Sequence, residues 1–175
     1  MSTYEDDIRL ERRHSRTIAG ILGMQFITQD VMLDLHEATD FATFTVAPFK
    51  VAARLRTHKY LNQYGEEFTL RWCRPSGVPT EIDKVRGGLV DYMIYGFVSE
   101  DESRIVRYFI GDFAIFLESE PSPVAVKWNT PPDSQLAAYR LTDTRDEFVV
   151  KSWPNEWARG LRRGRLRGRT QEVGA

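Results

Sequence analysis

The stretch Asp91-Tyr-Met-Ile-Tyr-Gly-Phe-Val98 is the most apolar strand-like run of the chain, and the fold can be worked outward from it. Its length and its aromatic and β-branched side chains predict a buried central strand. The acidic turn Glu100-Asp-Glu102 follows, and Arg104-Ile-Val-Arg-Tyr-Phe-Ile110 is predicted as the next strand. Two such strands joined by a short turn favour a β-hairpin.

Shorter predicted elements flank this hairpin on both sides. Thr80 precedes a short helical pattern as a capping residue, and Gly87 and Gly88 end it. The full set comprises a helix at 3–26, a hairpin at 41–57, a strand at 67–73, a helix at 81–86, the central hairpin, a helix from Gly111 to about Leu117, and edge strands at 137–141 and 147–151. The order α-β-β-β-α-β-β predicts an α+β fold with a mixed β-sheet and an N-terminal helix, rather than an alternating βα repeat.

Composition excludes several classes of protein. The chain has 175 residues, of which 42% are hydrophobic, enough for one folded domain with a real core. The single cysteine, Cys73, excludes a disulfide scaffold and a cysteine-based zinc module. No apolar run is long enough to span a membrane, and the polar start Met1 to Glu11 is unlike a secretory signal, so a soluble cytoplasmic protein is expected.

Charge divides the chain into an acidic body and a basic tail. Six arginines and one glutamate give residues 159–175 a charge of +5, which leaves −6 for residues 1–158 because the total is −1. We therefore expect a single domain at 1–158 and a flexible Arg/Gly-rich tail at 159–175. The tail suits a phosphate backbone, and the alternatives are a solubilising tail or one that pairs with the acidic body. Its candidate phosphate ligands are Arg162, Arg163, Arg165 and Arg167.

A first candidate site combines Asp40 with Arg54 and Arg56. Asp40 begins a predicted strand, and the two arginines are two apart on the next strand, so they should share a face. A carboxylate there could hold a hard cation while the arginines hold a phosphate. The alternative is a cross-strand ion pair that stabilises little.

A second candidate site lies around the short helix. Glu81 and Lys84 are three apart and therefore neighbours on one helical face, where they form either a catalytic acid and base or a surface pair. Asp91 opens the apolar strand, and burial of its charge would require a partner such as Arg71, Lys84 or Arg86. Asp91 is thus a candidate metal ligand together with Asp40, and Arg71 joins the candidate phosphate ligands.

The stretch from Ala38 to Gly96 resembles a family of small uncharacterised proteins of tailed bacteriophages and prophages. The matching pieces are Thr39-Asp40, Val51-Ala-Ala-Arg-Leu-Arg56, Phe68-Thr-Leu-Arg71, Arg74-Pro-Ser-Gly77, Thr80-Glu81 with Lys84, and Asp91-Tyr92 with Tyr95-Gly96. The N-terminal helix and the Gly111-Asp112 turn fit as well. The resemblance implies a phage origin and a location in the cytoplasm of a bacterial host.

The element order is also similar to the restriction-endonuclease-like core, whose motif is PD-(D/E)XK. Asp40 would take the place of the first acid, and Arg54 and Arg56 stand where the second acid and the lysine are expected. Arginine cannot ligate a cation. Glu37, Glu81 or Asp91 would then have to supply the second carboxylate.

These observations leave three functions open. The first is a nuclease-like enzyme that uses Mg²⁺ and acts on nucleic acid, with DNA favoured over RNA. The second is a nucleic-acid-binding protein without catalysis, in which arginines follow phosphates and Trp72, Tyr92 or Tyr95 stack on bases. The third is a phage structural or host-interaction protein, whose acidic body would be the contact surface.

Overall fold

The computed structural model of the protein describes residues 4–23, 49–129 and 133–154. The predicted strand before Pro48, Asp40, Glu37 and the basic tail at 159–175 lie outside the described residues.

The described part of the chain combines helices and strands, which confirms the α+β class. The helices are α1 (Tyr4–Arg13), α2 (15–23), α3 (Leu61–Tyr64), α4 (Glu81–Arg86) and α5 (Phe113–Ser119), with 3-10 turns at His58–Tyr60, Leu141–Asp143 and Asp146–Phe148. The strands are β1 (Val51–Arg56), β2 (Glu67–Cys73), β3 (Tyr92–Val98), β4 (Ile105–Asp112), β5 (Ala125–Trp128), β6 (Gln135–Arg140) and β7 (Val149–Trp153).

The first sheet has four strands in the order β1-β3-β4-β7. The central hairpin is confirmed, because β3 and β4 pair antiparallel with Ile94 opposite Ile110. β7 is an edge strand, as predicted, and pairs antiparallel with β4. β1 pairs parallel with β3, so this sheet is mixed.

A second sheet of three antiparallel strands has the order β2-β6-β5. The sequence predicted one sheet, and it placed the strand at 137–141 at an edge. That placement is wrong, because β6 lies between β2 and β5. The sequence patterns also missed β5, which has only four residues, three of them exposed.

Helices cover one face of the four-stranded sheet, and the second sheet with α4 and α5 packs on the other. Leu10, Ile18 and Ile21 of the helices form one core cluster with Leu55 and Ile94. The second cluster joins the aromatic side chains of β3 and β4 to those of the second sheet, α5 and the last 3-10 turn: Tyr95, Phe97, Phe109, Phe68, Tyr139, Phe116 and Phe148. β3 is thus buried on both faces, which explains its continuous apolar sequence.

Candidate functional site

Three arginines lie buried where β1 approaches β2. Arg54 and Arg56 of β1 are each 9% exposed, and Arg71 of β2 is 7% exposed. Arginine is rarely buried to this extent unless its guanidinium has partners. We call these three side chains the arginine seam.

The two-residue period of a strand explains the position of Arg54 and Arg56. Val51, Ala53 and Leu55 belong to the cluster beneath the helices, whereas Ala52 packs on the cluster between the sheets. Even-numbered residues of β1 therefore face β2. The prediction that Arg54 and Arg56 share a face is confirmed by their common partner, the Thr69 hydroxyl.

Glu81 connects α4 to both strands of the seam. One of its carboxylate oxygens forms an ion pair with Arg54 Nη2, and the other accepts a hydrogen bond of 2.8 Å from the backbone nitrogen of Arg71. Arg54 Nη1 also lies 3.3 Å from the Thr69 carbonyl oxygen. The candidate catalytic acid is therefore engaged in a partly buried ion pair with Arg54 of β1.

The start of α4 fixes the position of Glu81. Asp83 Oδ2 accepts hydrogen bonds of 2.8 Å from both the backbone nitrogen and the hydroxyl of Thr80, as in a capping box. These bonds, with the charge of Arg86, hold the pKa of Asp83 below its usual value. Thr80 therefore caps the helix as predicted, and the first turn presents Glu81 to the seam.

Arg56 is held by hydroxyl groups and an aromatic ring. Its Nε donates to the Tyr95 hydroxyl at 3.1 Å, and its Nη2 donates to Thr69 Oγ1 at 2.7 Å. The guanidinium carbon lies 5.9 Å from the centroid of the Tyr60 ring, within range of a cation–π interaction. Tyr95, one of the predicted base-stacking residues, thus lies inside the site.

Two cavities border the seam, and Thr69 lines both. The larger, about 220 Å³, is bounded by Arg56, by the aromatic side chains Tyr60, Tyr64, Tyr95 and Phe97, and by one face of the second sheet. We call it the tyrosine cavity. The smaller, about 180 Å³, is lined by Arg54, Glu81 and Lys84 together with apolar residues of β1, α4 and α5. We call it the Glu81 cavity.

Two of the residues that line the tyrosine cavity carry buried polar atoms without hydrogen-bond partners in the described structure. These atoms are the Tyr60 hydroxyl and Asn129 Oδ1. Asn129 is 7% exposed, and its Nδ2 lies 3.5 Å from Asp133 Oδ1. An unsatisfied buried polar atom costs about 1–3 kcal/mol, so its presence needs an explanation.

Asp133 extends the polar network from Asn129 towards the seam. Its pKa is lowered, first by a hydrogen bond from the Ser134 hydroxyl and also by the charge of Arg71 and the amide of Asn129. The Ser134 oxygen lies 2.9 Å from Asp133 Oδ1. Arg71 therefore has an acidic neighbour on the loop between β5 and β6.

The structure brings together some of the predicted site residues and separates others. Arg54, Glu81 and Lys84 meet around the Glu81 cavity, although Lys84 itself is exposed. The prediction that Asp91 is buried beside a basic partner is wrong. Asp91 precedes β3 at its exposed end and accepts a hydrogen bond of 2.8 Å from the Lys50 backbone nitrogen.

The described residues hold no cluster of metal ligands, and two of the predicted base-stacking residues, Trp72 and Tyr92, pack against other side chains. Within residues 4–23, 49–129 and 133–154, no group of three or more His, Cys, Asp or Glu side chains could hold a metal ion. Trp72 lies against Arg86, whose guanidinium carbon is 5.0 Å from the indole ring, and Tyr92 packs edge-on against Phe49. Asp40, Arg162, Arg163, Arg165 and Arg167 lie outside the described residues.

No sequence pattern singled out Thr69, Tyr60 or Asn129. Thr69 alternates with the buried Phe68 and Leu70, so its position on the opposite face of β2 could have been inferred from the strand period. Tyr60 and Asn129 gave no local signal, because their distinguishing property is the lack of a partner in three dimensions.

No protein-family model, curated protein or solved structure matches this chain. Among the helices of the described residues, none has both the length and the hydrophobicity needed for a membrane span.

Proposed function

We propose that this protein binds nucleic acid and holds an unpaired strand beside the arginine seam. The observation that carries the proposal is that the buried guanidinium of Arg56 borders a cavity that three tyrosines also line, with Arg54 on the same face of β1. Guanidinium groups bind phosphates in a bidentate manner, and aromatic rings stack on bases of any sequence. Proteins that bind single strands combine these two chemistries.

The position of the tyrosine cavity supports a role for Arg56 rather than Arg54 in contacting a strand. Arg54 forms an ion pair with Glu81, whereas Arg56 borders the tyrosine cavity and donates to the hydroxyls of Thr69 and Tyr95. A phosphate oxygen can compete with a hydroxyl for a guanidinium, because hydrogen bonds between two charged groups are the stronger ones. The basic tail would add affinity that does not depend on sequence.

Fluorescence anisotropy with the full-length chain tests the proposal. Labelled single-stranded DNA, single-stranded RNA and duplex DNA are titrated at about 50 and 200 mM salt in EDTA. We expect single strands to bind more tightly than the duplex. We also expect Arg56→Gln to weaken binding about tenfold or more, and Arg104→Gln, which removes the same charge from an exposed position, to change it little.

Unfolding by urea shows whether Arg56→Gln is folded, and Arg56→Lys, which keeps the charge, should bind with intermediate affinity. The absence of binding to every nucleic acid at the lower salt concentration would overturn the proposal. Equal effects of Arg56→Gln and Arg104→Gln would remove the arginine seam from it.

Metal-dependent cleavage is a second candidate function, favoured by the meeting of Arg54, Glu81 and Lys84 around one cavity. The described residues do not supply a set of Mg²⁺ ligands, so the candidate depends on Asp40. Fragment length is measured with Mg²⁺, Mn²⁺ or EDTA, for the wild type and Asp40→Ala. Shortening that requires metal and is lost in Asp40→Ala supports cleavage, and intact strands in every arm exclude it.

A further inference from the structure

We propose that the protein forms a dimer in which the β5 strands of two copies pair antiparallel about a two-fold axis at Val126. The second sheet, whose order is β2-β6-β5, would then continue from one copy into the other. The inference goes beyond the proposed function, because it concerns contact between two copies and does not require nucleic acid. Three features of β5 support it: its backbone edge, its exposed apolar side chains and the position of its charged residue.

β5 presents backbone hydrogen-bonding groups at one edge of the second sheet. Among the strands of the described residues, it pairs with β6 alone. Asn129, directly after β5, donates its backbone N–H to Ser134 O at 2.8 Å, so the odd-numbered residues on this side bond with β6. Across β6, the Leu141 N–H donates at 3.0 Å to the residue before β2, which leaves the even-numbered residues of β6 for β5 and agrees with this alternation. The N–H and C=O groups of Val126 and Trp128 therefore point away from β6, where an added strand can bind them.

Exposed apolar side chains form a short stripe along the same edge. Val124, Val126 and Trp128 are 39%, 45% and 47% exposed. Because they are two residues apart, they lie on one face of the strand. An axis at Val126 places this residue opposite its own copy and Val124 opposite Trp128 of the second copy. Each member of the stripe then gains an apolar neighbour, as a self-complementary two-fold interface requires.

Charge favours this register over its neighbours. Because the outward-pointing groups belong to even-numbered residues, even must face even across the new ladder. An axis one residue later would place Lys127 opposite its own copy, and like charges directly opposite each other are destabilising. An axis one residue earlier would place Trp128 opposite Ser122. The axis at Val126 instead places Lys127 opposite the small Ala125.

The other sheet edges of the described residues are less suited to pairing. β1 and β2 approach each other at the arginine seam, where Arg54 and Arg56 contact Thr69. The register of β7 with β4 is irregular at Gly111, and Pro154 follows β7 directly. Bulges and prolines are devices that keep edge strands from pairing. The ladder of β5 with β6 is regular from residue 125 to residue 128.

Pairing through β5 would set two tyrosine cavities on one face of the joined sheet. A two-fold axis between antiparallel edge strands is perpendicular to the sheet, so the same face of each copy points the same way. Ala125 and Lys127 line the tyrosine cavity from β5, so the two cavities would flank the axis. A nucleic-acid strand that reaches both would bind more tightly than one that reaches a single cavity. This consequence, unlike the dimer itself, rests on the proposed function.

Sedimentation equilibrium of the full-length chain, freed of nucleic acid by nuclease treatment, tests the dimer. One short strand of each copy forms the contact, so a weak dimer is expected, and concentrations run from about 1 μM to about 1 mM. The wild type is compared with Val126→Lys, Val126→Glu, an equimolar mixture of these two variants, and the control Val150→Lys. Val150 is a valine of β7 that is 37% exposed, so the control makes the same substitution at the other edge. Thermal unfolding checks that each variant is folded.

We expect the mass of the wild type and of Val150→Lys to rise from that of one chain towards that of two. Val126→Lys and Val126→Glu should each raise the dissociation constant about tenfold or more, because like charges would face each other across the axis. The mixture should recover the dimer, since a lysine then faces a glutamate.

Three results would overturn the proposal: a wild type that stays a single chain at every concentration, a dimer that Val126→Lys leaves intact, or a mixture that does not recover association. Each of them would leave the proposed function standing, because binding of nucleic acid is measured separately by anisotropy. Recovery in the mixture is specific, because it requires a register in which residue 126 meets its own copy.

Discussion

Removal of a tyrosine hydroxyl should have opposite effects on stability at different positions around the tyrosine cavity. The perturbation is Tyr→Phe at Tyr60, Tyr95 and the control Tyr64, each of which lines the cavity. The three substitutions remove the same atom and keep the ring. Differences between them therefore report the hydrogen bonding of each hydroxyl in the folded protein.

The structure sets the sign and the size for each position. The Tyr60 hydroxyl is buried without a partner in the described residues, so its removal should raise the free energy of unfolding by about 1 kcal/mol. The Tyr95 hydroxyl accepts a hydrogen bond of 3.1 Å from Arg56 Nε. Its removal takes this acceptor away from a buried charged donor and should lower the free energy of unfolding by about 2 kcal/mol. Tyr64 is 38% exposed, and its substitution should stay within about 0.5 kcal/mol of zero.

Urea and thermal unfolding of the full-length variants measure these differences. For a domain of this size, 1 kcal/mol corresponds to a shift of about 2–4 °C in the midpoint of thermal unfolding. We therefore expect Tyr60→Phe to melt a few degrees higher than the wild type and Tyr95→Phe several degrees lower. Destabilisation of Tyr60→Phe to the same extent as Tyr95→Phe would refute the reasoning, because it would mean that both hydroxyls are satisfied.

Three further predictions concern the seam, a surface turn and the tail. Glu81→Gln should lower the free energy of unfolding by about 2 kcal/mol, measured in urea, because the partly buried ion pair between Arg54 and Glu81 is lost; an unchanged value would show that the ion pair is weak. Hydrogen bonds from Ser99 and Ser103 lower the pKa of Asp101 from 3.8 to about 2. Its stabilising effect is therefore present above pH 3.8 and lost as the pH falls towards 2, so Asp101→Asn should differ from the wild type at pH 5 and converge with it near pH 2. Deletion of residues 159–175 should weaken nucleic-acid binding and flatten the dependence of log K on log salt, and an unchanged slope would exclude the tail from the interface.

The elements with strong local signals were predictable from the sequence. The hairpin of β3 and β4 follows from two apolar runs and a short turn, and α4 follows from Thr80, Asp83 and the two glycines after it. The division into two sheets was not predictable, because strand pairing between distant segments is decided by packing rather than by local pattern. β1 pairs with β3 across the whole of β2 and α4, and no property of β1 alone specifies this partner.

The candidate site was predictable where periodicity decides the geometry. The two-residue spacing placed Arg54 and Arg56 on one face, and the three-residue spacing placed Glu81 and Lys84 on one side of α4. The prediction for Asp91 failed because the residue that precedes a buried strand can lie at its solvent-facing end. Tyr60 and Asn129 could not be found, since a missing hydrogen bond is a property of the folded surroundings.

The two sheets alternate along the chain, and this order makes them mutually dependent. β2 lies between β1 and β3 in sequence, and β5 and β6 lie between β4 and β7. Any break in the backbone between Arg56 and Val149 therefore separates strands that belong to the four-stranded sheet. Neither sheet corresponds to a continuous fragment that could fold alone, so both should be lost in a single cooperative transition, and long-range strand pairing should make refolding slow.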